Sequence, residues 1–515
     1  MTDNRFPRRY FFYGTLLAGA LPRGGFGSVP SLKAAGYKSP NEKLNLAAIG
    51  AGGQPGADLQ IAQAGIENVV ALADVDWDRG AGSARHYPTA TRYTDYRQML
   101  DKQGKEIDAL IVGPPDHMHA TAALHCMQAG KHVYCEKPLT RTAWEARLLT
   151  HAAARYNVAT QMGNQGYSHD ATRVAAEIFW SGEIGEVREV HAWSGRPSWP
   201  QGMTKVPAPT PVPKTLDWDL WLGGAAARPF TAGDDEYHAF VDERSRTQKS
   251  AIRHGQFYLP FNWRGFYDFG SSLIGDWGIH ILGPANWALQ LDPKYLISVE
   301  CVKKDALPPF TFPDMMSIRY DFGPRPGMPP VSVYWHQGFR GDVYTPPGMT
   351  VEEACKIPGQ GPQVGPQRGQ GGFVPGSGGA APVKPVRHGY NCIFVGSKGY
   401  LGTSGRGEDV GLLPGKHWAE YKLPAPYLTR SPGASTGSNH EAHLRDFVRA
   451  CKGGAPACSN FSIAGPYTEW LILGSAAIHA EGKLFWDNAK GEFKNNKEVN
   501  QWVKPTFRKG WQIKL

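Results

Sequence analysis

The stretch "LNLAAIGAGGQPGADLQIAQAG" (residues 44–65) limits the possible folds of this chain more than any other. An apolar run leads into a glycine-rich turn, and a helical pattern follows. This reads as strand, turn and helix. Gly50 allows the tight turn, and Gly52, with Gly53 beside it, lets a backbone approach a phosphate with no Cβ in the way. The start of the helix supplies free N–H groups and a positive dipole end, so the motif suits a pyrophosphate. "NVVALADVDW" follows as a second strand and places Asp74 twenty-four residues after Gly50. A carboxylate there accepts from ribose hydroxyls and repels a 2′-phosphate, which favours NAD over NADP. Asp76 is a second candidate, and a strand-end Asp that only caps a turn is the bland alternative.

Further strands follow at "DALIVGPP" (108–115) and "HVYCE" (132–136), with helical segments over 116–130 and 140–156. This alternation predicts a parallel, doubly wound sheet, which binds ligands beyond the carboxyl ends of its strands. Those ends carry Pro115, Asp116-His117-Met118-His119, Glu136-Lys137-Pro138 and Asn164-Gln165. After about residue 166 the alternation stops. Runs at 188–194, 296–302, 315–322, 330–337 and 391–404 read as strands with few helices between them, and 437–451 and 464–482 read as helices. The expected fold class is therefore α/β. It combines an N-terminal Rossmann dinucleotide-binding domain (41–165) with an α+β domain carrying a large, mainly antiparallel open sheet (166–515).

A chain of 515 residues is too long for one compact core, which agrees with two domains. Of the net charge of +9, residues 1–43 contribute +5 (seven Lys/Arg against two Asp/Glu) and leave +4 for the rest. No basic cluster is interleaved with aromatics, so nucleic-acid binding is not expected. The seven cysteines are scattered without a CxxC pair, which argues against a disulfide scaffold or a structural zinc site. Cys451 and Cys458 are close enough in sequence to pair, although buried free thiols are the expectation.

"IGDWGIHILG" (274–283) sets Asp276 and His280 four residues apart, on one face if the segment is helical. The spacing alone leaves proton transfer, half of a metal site and a satisfied core pair all open. A metal would need a third ligand, and the sequence does not supply one.

"IGAGG", "ADVD", "PPDHMHA", "CEKPLT" and "GDWGIH" occur in the order found in the Gfo/Idh/MocA oxidoreductases, and from about residue 44 onward the chain resembles that family. "QMGNQG", "DWDLWLGGAAARPF", "CKGGAPACSNFSIAGP" and "RKGW" look like its exported branches. The resemblance implies tightly bound NAD and a cofactor pocket lined by Pro115, His117, His119, Glu136, Lys137 and Gln165. It implies a cis Lys137–Pro138 bond, with Lys137 stabilising a developing alkoxide. It makes His280 the proton-transfer residue, and has Asp276 orient the substrate hydroxyl or the lysine. Asn164, Arg196, Trp263 and Arg264 are candidate substrate contacts, with Trp199 a weaker one. One departure stands out: relatives usually carry a third glycine in the turn, where this chain reads Gln54-Pro55-Gly56.

Arg8-Arg9 before an apolar stretch resembles a twin-arginine export signal, so residues 1–40 are expected to be a leader and linker. A periplasmic or otherwise exported location follows, with the export machinery as a partner and retention as a membrane anchor as the alternative. A basic surface strand is the bland reading. Residues 346–389 are rich in Gly and Pro and read as a surface insertion or a flap over the substrate mouth. A homo-oligomer is expected. Three functions compete: an NAD-dependent oxidoreductase of a sugar, cyclitol or glycoside; a redox-neutral glycosidase or lyase that uses NAD transiently; and a non-catalytic sugar-binding protein.

Overall fold

The structure is a computed structural model. It describes residues 42–63, 66–248, 256–338, 344–350, 353–354, 389–431 and 439–515. The leader and most of the 346–389 segment lie outside the described residues.

Six parallel strands form the first sheet: β1 (Asn45–Ile49), β2 (Asn68–Ala73), β3 (Thr91–Tyr93), β4 (Ala109–Val112), β5 (His132–Cys135) and β6 (Thr160–Met162). Their order is β3-β2-β1-β4-β5-β6, so the direction of winding reverses between β1 and β4. β4 is buried along its whole length, as expected for a parallel strand covered on both faces. The intervening helices are α1 (Gln54–Gln63), α2 (Trp77–His86), α3 (Tyr96–Gln103), α4 (Asp116–Gln128) and α5 (Ala143–Tyr156). α5 starts in a reciprocal capping box between Thr142 and Glu145 and ends at Asn157 in a left-handed turn, which sets its limits sharply.

Among the described residues the second sheet has nine strands, and a single parallel pair (β7 with β10) interrupts its antiparallel ladder. These are β7 (Val187–Ser194), β8 (Leu296–Lys304), β9 (Met316–Phe322), β10 (Val331–Gln337), β11 (Tyr390–Gly396), β12 (Tyr400–Ser404), β13 (Val410–Leu413), β14 (Lys483–Asp487) and β15 (Glu492–Phe493). Along β10, buried Val331, Val333, Trp335 and Gln337 alternate with half-buried Ser332, Tyr334 and His336, so one face meets the core. Helix Phe461–Ala477 lies between the sheets, against α5 on one side and β8 on the other.

Two features depart from the sequence reading. Helix Asn439–Cys451 belongs by chain order to the second domain, yet Leu444, Phe447 and Cys451 join the core of the first sheet. Its His440 Nε2 sits 2.6 Å from Asp58 of α1, which ties the two elements together. Residues between β7 and β8 build a separate aromatic cluster around Trp221, Phe257, Tyr258, Phe266 and Phe269, which forms a cap beside the first sheet. The six described cysteines, Cys451 and Cys458 among them, are free thiols.

Pro55 takes the second position of α1, where a missing N–H costs no intrahelical bond. Its ring fills the space above Gly113, where an added Cβ would lie 2.2 Å from Pro55 Cγ. Gly113→Ala is therefore expected to destabilise the protein by about 1–3 kcal/mol through overpacking. Pro55→Ala in the same chain should recover part of that loss, so urea unfolding of the double variant should be non-additive. Strict additivity would mean the two residues are not in contact.

Candidate functional site

A cavity of about 530 Å³ opens along the carboxyl ends of β1, β2, β4 and β5. Gly50 leaves β1 at φ +80°, with its N–H on Ala73 O at 2.9 Å. Only glycine fits there, because a Cβ would meet the Gly113–Pro114 peptide at about 3 Å. Gly52 lines the cavity and is also held by a second close approach. A Cβ there would lie 2.6 Å from the carbonyl oxygen of Arg79, so the close approach is to α2. Its N–H donates to Asp74 Oδ2 at 3.1 Å. Gly53 has φ +69° and lies outside the cavity wall.

Asp74 ends β2 as expected and lines the cavity. Burial raises its carboxyl to about 6, even though N–H groups of Asp76 and Gly52 pull it down. Asp76 also lines the cavity and caps α2 through Asp78 N–H.

At the other end stands Lys137, two residues past β5 and followed by a cis bond to Pro138. Its Nζ donates to Asp276 Oδ1 at 2.6 Å. Arg264 Nε donates to the same oxygen at 3.0 Å, and its guanidinium lies over the Trp263 ring. Two cations on one carboxylate oxygen hold Asp276 far below the usual carboxylate range against the opposing effect of burial. Asp276 itself is not in the cavity wall and reaches it through Lys137 and Arg264, which are.

The local backbone explains why simple helical spacing was not enough. Ile274–Gly278 forms a π-turn, and a short helix, Ile279–Ile281, follows. Tyr467 Oη sits 3.2 Å from Gly278 O and 2.9 Å from Ile279 O, on carbonyls that the irregular turn exposes. His280 is buried and outside the cavity wall, and its Nδ1 has no partner among the described residues. Burial, together with the positive charges of Lys137 and Arg406, holds its imidazole well below the ordinary histidine range.

The other expected residues divide between the cavity and elsewhere. Pro115, His119 and Glu136 line the cavity. His119 spans from Pro138 O (2.7 Å) to Pro114 O (2.8 Å) and so ties the ends of two strands together. Burial pushes Glu136 upward, and its carboxylate neighbour Asp58 adds to the shift. His117 turns away instead: it bonds Trp221 O at 3.0 Å and packs between Trp221 and Phe269. Asn164 accepts from Ser459 Oγ at 2.6 Å and, like Gln165, lies outside the cavity wall. Both follow β6, one strand too far from the switch point. Arg196 lies in a separate cleft of about 420 Å³ with Phe240, Arg244 and Asp314, because the chain after β7 runs outward into the cap. Trp199 is buried in the main core.

Several wall residues had no strong sequence signal. The cap contributes Leu216, Trp221, Leu259 and Phe261, and the C-terminal tail contributes Trp511. Asp217 N–H reaches Val75 O at 2.8 Å, which seats the cap on the end of β2. Phe261 has φ +69°, a strained conformation for a bulky residue. Both Arg79 and Arg264 stack on its ring, at 4.9 and 5.0 Å. Arg79, five residues after Asp74, is the one wall residue that its spacing could have suggested. Among the described residues no three His, Cys, Asp or Glu side chains gather as metal ligands.

Residues 44–164 match the model of an oxidoreductase family with an NAD-binding Rossmann fold. Over that stretch the chain is similar to the Gfo/Idh/MocA oxidoreductases. An uncharacterized oxidoreductase of Rhizobium meliloti is 34% identical over 122 residues, which is 24% of this chain and 36% of that protein. Levoglucosan dehydrogenase of Pseudarthrobacter phenanthrenivorans is 27% identical over 134 residues, 25% of this chain and 34% of its own. The chain thus spans about a third of the length of these curated relatives. An inositol dehydrogenase homolog from Azotobacter vinelandii, solved with NADH and myo-inositol, superposes with a TM-score of 0.51. That match is 16% identical and covers 88% of this chain and all of the other, so it shows a shared two-domain fold.

Removing Lys137 leaves Asp276 with one cation instead of two. Lys137→Ala is expected to cost roughly 1–3 kcal/mol at pH 7. Because folding depresses the Asp276 pKa, this contribution is full above the unfolded value of 3.8 and fades as pH falls below about 4. Denaturant unfolding at pH 7 and pH 3 should show a smaller difference between variant and wild type at pH 3. An equal difference at both would detach Asp276 from Lys137.

Proposed function

We propose that this protein is an NAD-dependent oxidoreductase acting on a sugar, cyclitol or glycoside. The observation that carries this reading is a shared wall. Lys137, paired to Asp276 of the second domain, lines the same cavity as Gly50 and Asp74. The residues suit a dinucleotide. The glycine turn and the start of α1 would receive the pyrophosphate, and Asp74 would accept from the adenosine ribose. The nicotinamide, when bound, supplies a hydride acceptor. Lys137, held in place by Asp276, would stabilise negative charge on the substrate oxygen. Trp263 and Trp221 line the same cavity, where aromatic side chains suit a sugar ring.

One observation favours a second reading, a redox-neutral glycosidase or lyase. The cap and Trp511 add to the wall that the first sheet begins, which suits a cofactor retained through the cycle. Export through the Arg8-Arg9 leader would make such retention useful, because free NAD is scarce outside the cytoplasm.

The deciding experiment is native mass spectrometry of the purified protein for bound NAD(H). A panel of sugars, cyclitols and glycosides then follows, scored for NADH formation against bond cleavage. NADH formation supports the first reading, and cleavage without net NADH supports the second. A protein with no bound nucleotide and no turnover on added NAD would defeat both.

Asp74→Asn is expected to weaken NADH binding at least about tenfold, or about 1.4 kcal/mol, and NADPH binding less. Wild-type affinity for NADH should fall as pH drops below about 6, where Asp74 takes up a proton. Fluorescence titration measures both.

A further inference from the structure

The turn between β12 and β13 carries an arginine, Arg406, that has no ion pair among the described residues. The turn itself is tightly built. Ser404 Oγ accepts from the N–H groups of Glu408 (3.1 Å) and Asp409 (2.9 Å), and Gly407 N–H closes on Ser404 O at 2.9 Å. Two glycines seat it against the chain that follows β6. A Cβ on Gly166 would lie 2.4 Å from Arg406 O, and one on Gly407, at φ +64°, would lie 2.7 Å from Thr172 Oγ1. Packing therefore fixes the backbone of Arg406 while its side chain is exposed.

That side chain lies against the segment that carries Asp276 and His280. The guanidinium stacks on half-buried Trp277 at 5.5 Å, and the Trp277 ring meets the His280 ring edge-on at 6.0 Å. His280 Nδ1 has no hydrogen-bond partner among the described residues, so a buried donor or acceptor is open beside this stack. The charge balance there is lopsided. The groups that act on His280 are Lys137 and Arg406, both positive, with Asp276 and His169. Asp276 is already shared by Lys137 and Arg264, which leaves Arg406 without a counter-charge. Burial raises the Asp116 carboxyl to about 7 and pushes Glu136 upward, so neither supplies a full negative charge.

We propose that Arg406 is a specificity-determining residue that binds a negatively charged substituent, a carboxylate or a phosphate ester, on the sugar whose hydroxyl reacts beside Lys137 and His280. This rests on the hydride-transfer reading above and narrows its substrate class to anionic sugars. A planar guanidinium donates two parallel N–H bonds to either group. Trp277 beneath it limits the directions in which that fork can face. A neutral sugar would leave Arg406 to water and gain nothing from it.

Matched sugars test the assignment: glucose, glucuronate and glucose 6-phosphate, with the galactose series as a second set. The Arg406 side chain is exposed, so Arg406→Gln and Arg406→Lys should fold as the wild type does, which a thermal melt checks. Calorimetry on NADH-loaded protein should show the uronate or the 6-phosphate of one series binding at least about tenfold more tightly than its neutral parent. Arg406→Gln should reduce that ratio to about threefold or less. Arg406→Lys should give an intermediate ratio, because it keeps the charge and loses the fork. In turnover the preference should appear in KM rather than in kcat. Which of the two anions binds more tightly distinguishes carboxylate from phosphate.

A wild type that binds the neutral parents as tightly as both anions in both series would overturn the proposal, as would an Arg406→Gln variant with the wild-type ratio. Anion-selective binding that depends on Arg406, with no NADH formed from any sugar in the presence of NAD+, would remove the hydride-transfer reading and leave the anion subsite. NADH formed equally well from neutral and charged sugars would remove the subsite alone.

Discussion

Everything at the reactive end of the cavity depends on one carboxylate oxygen. Asp276 Oδ1 receives Lys137 from the first domain and Arg264 from the cap. A buried carboxylate with one partner removed is costly, so this contact constrains three segments at once. The backbone beneath it is a π-turn, an arrangement less regular than an α-helix and supported here by Tyr467 from the central helix. The fold therefore holds the lysine by electrostatics and the carboxylate by packing.

The opposite end is built from steric limits. Gly50 is confined by the Gly113–Pro114 peptide, Gly52 by the backbone of Arg79, and Gly113 by the Pro55 ring. The turn, the start of α2 and the end of β4 interlock, and Asp74 is hydrogen-bonded into the same unit. The third glycine of the usual pattern is replaced by a proline whose bulk is absorbed by a glycine on the next strand. Phe261, between Arg79 and Arg264, links this end to the reactive end.

The doubly wound sheet was legible because parallel strands covered on both faces read as apolar runs, and β1, β2, β4 and β5 all do. The strand-end placement of Asp74, Pro115, His119, Glu136 and Lys137 followed from that alternation. His117, Asn164, Gln165 and Arg196 were misplaced because being near a strand end does not tell which way a side chain turns, or which strand borders the switch point. Asp276 is paired to Lys137 and Arg264. The π-turn that carries it leaves no mark in a four-residue spacing. The cap and Trp511 were illegible for another reason: they meet the cavity through tertiary contacts, from positions up to several hundred residues from Gly50.

The central question is what the cavity holds and in which direction. A crystal structure of the protein with NADH tests this most directly. The pyrophosphate should lie over residues 50–55, the adenosine ribose at Asp74, and the nicotinamide at the end walled by Asp116, Lys137 and Arg264. A nicotinamide at the Asp74 end, or a dinucleotide bound outside this cavity, would contradict it.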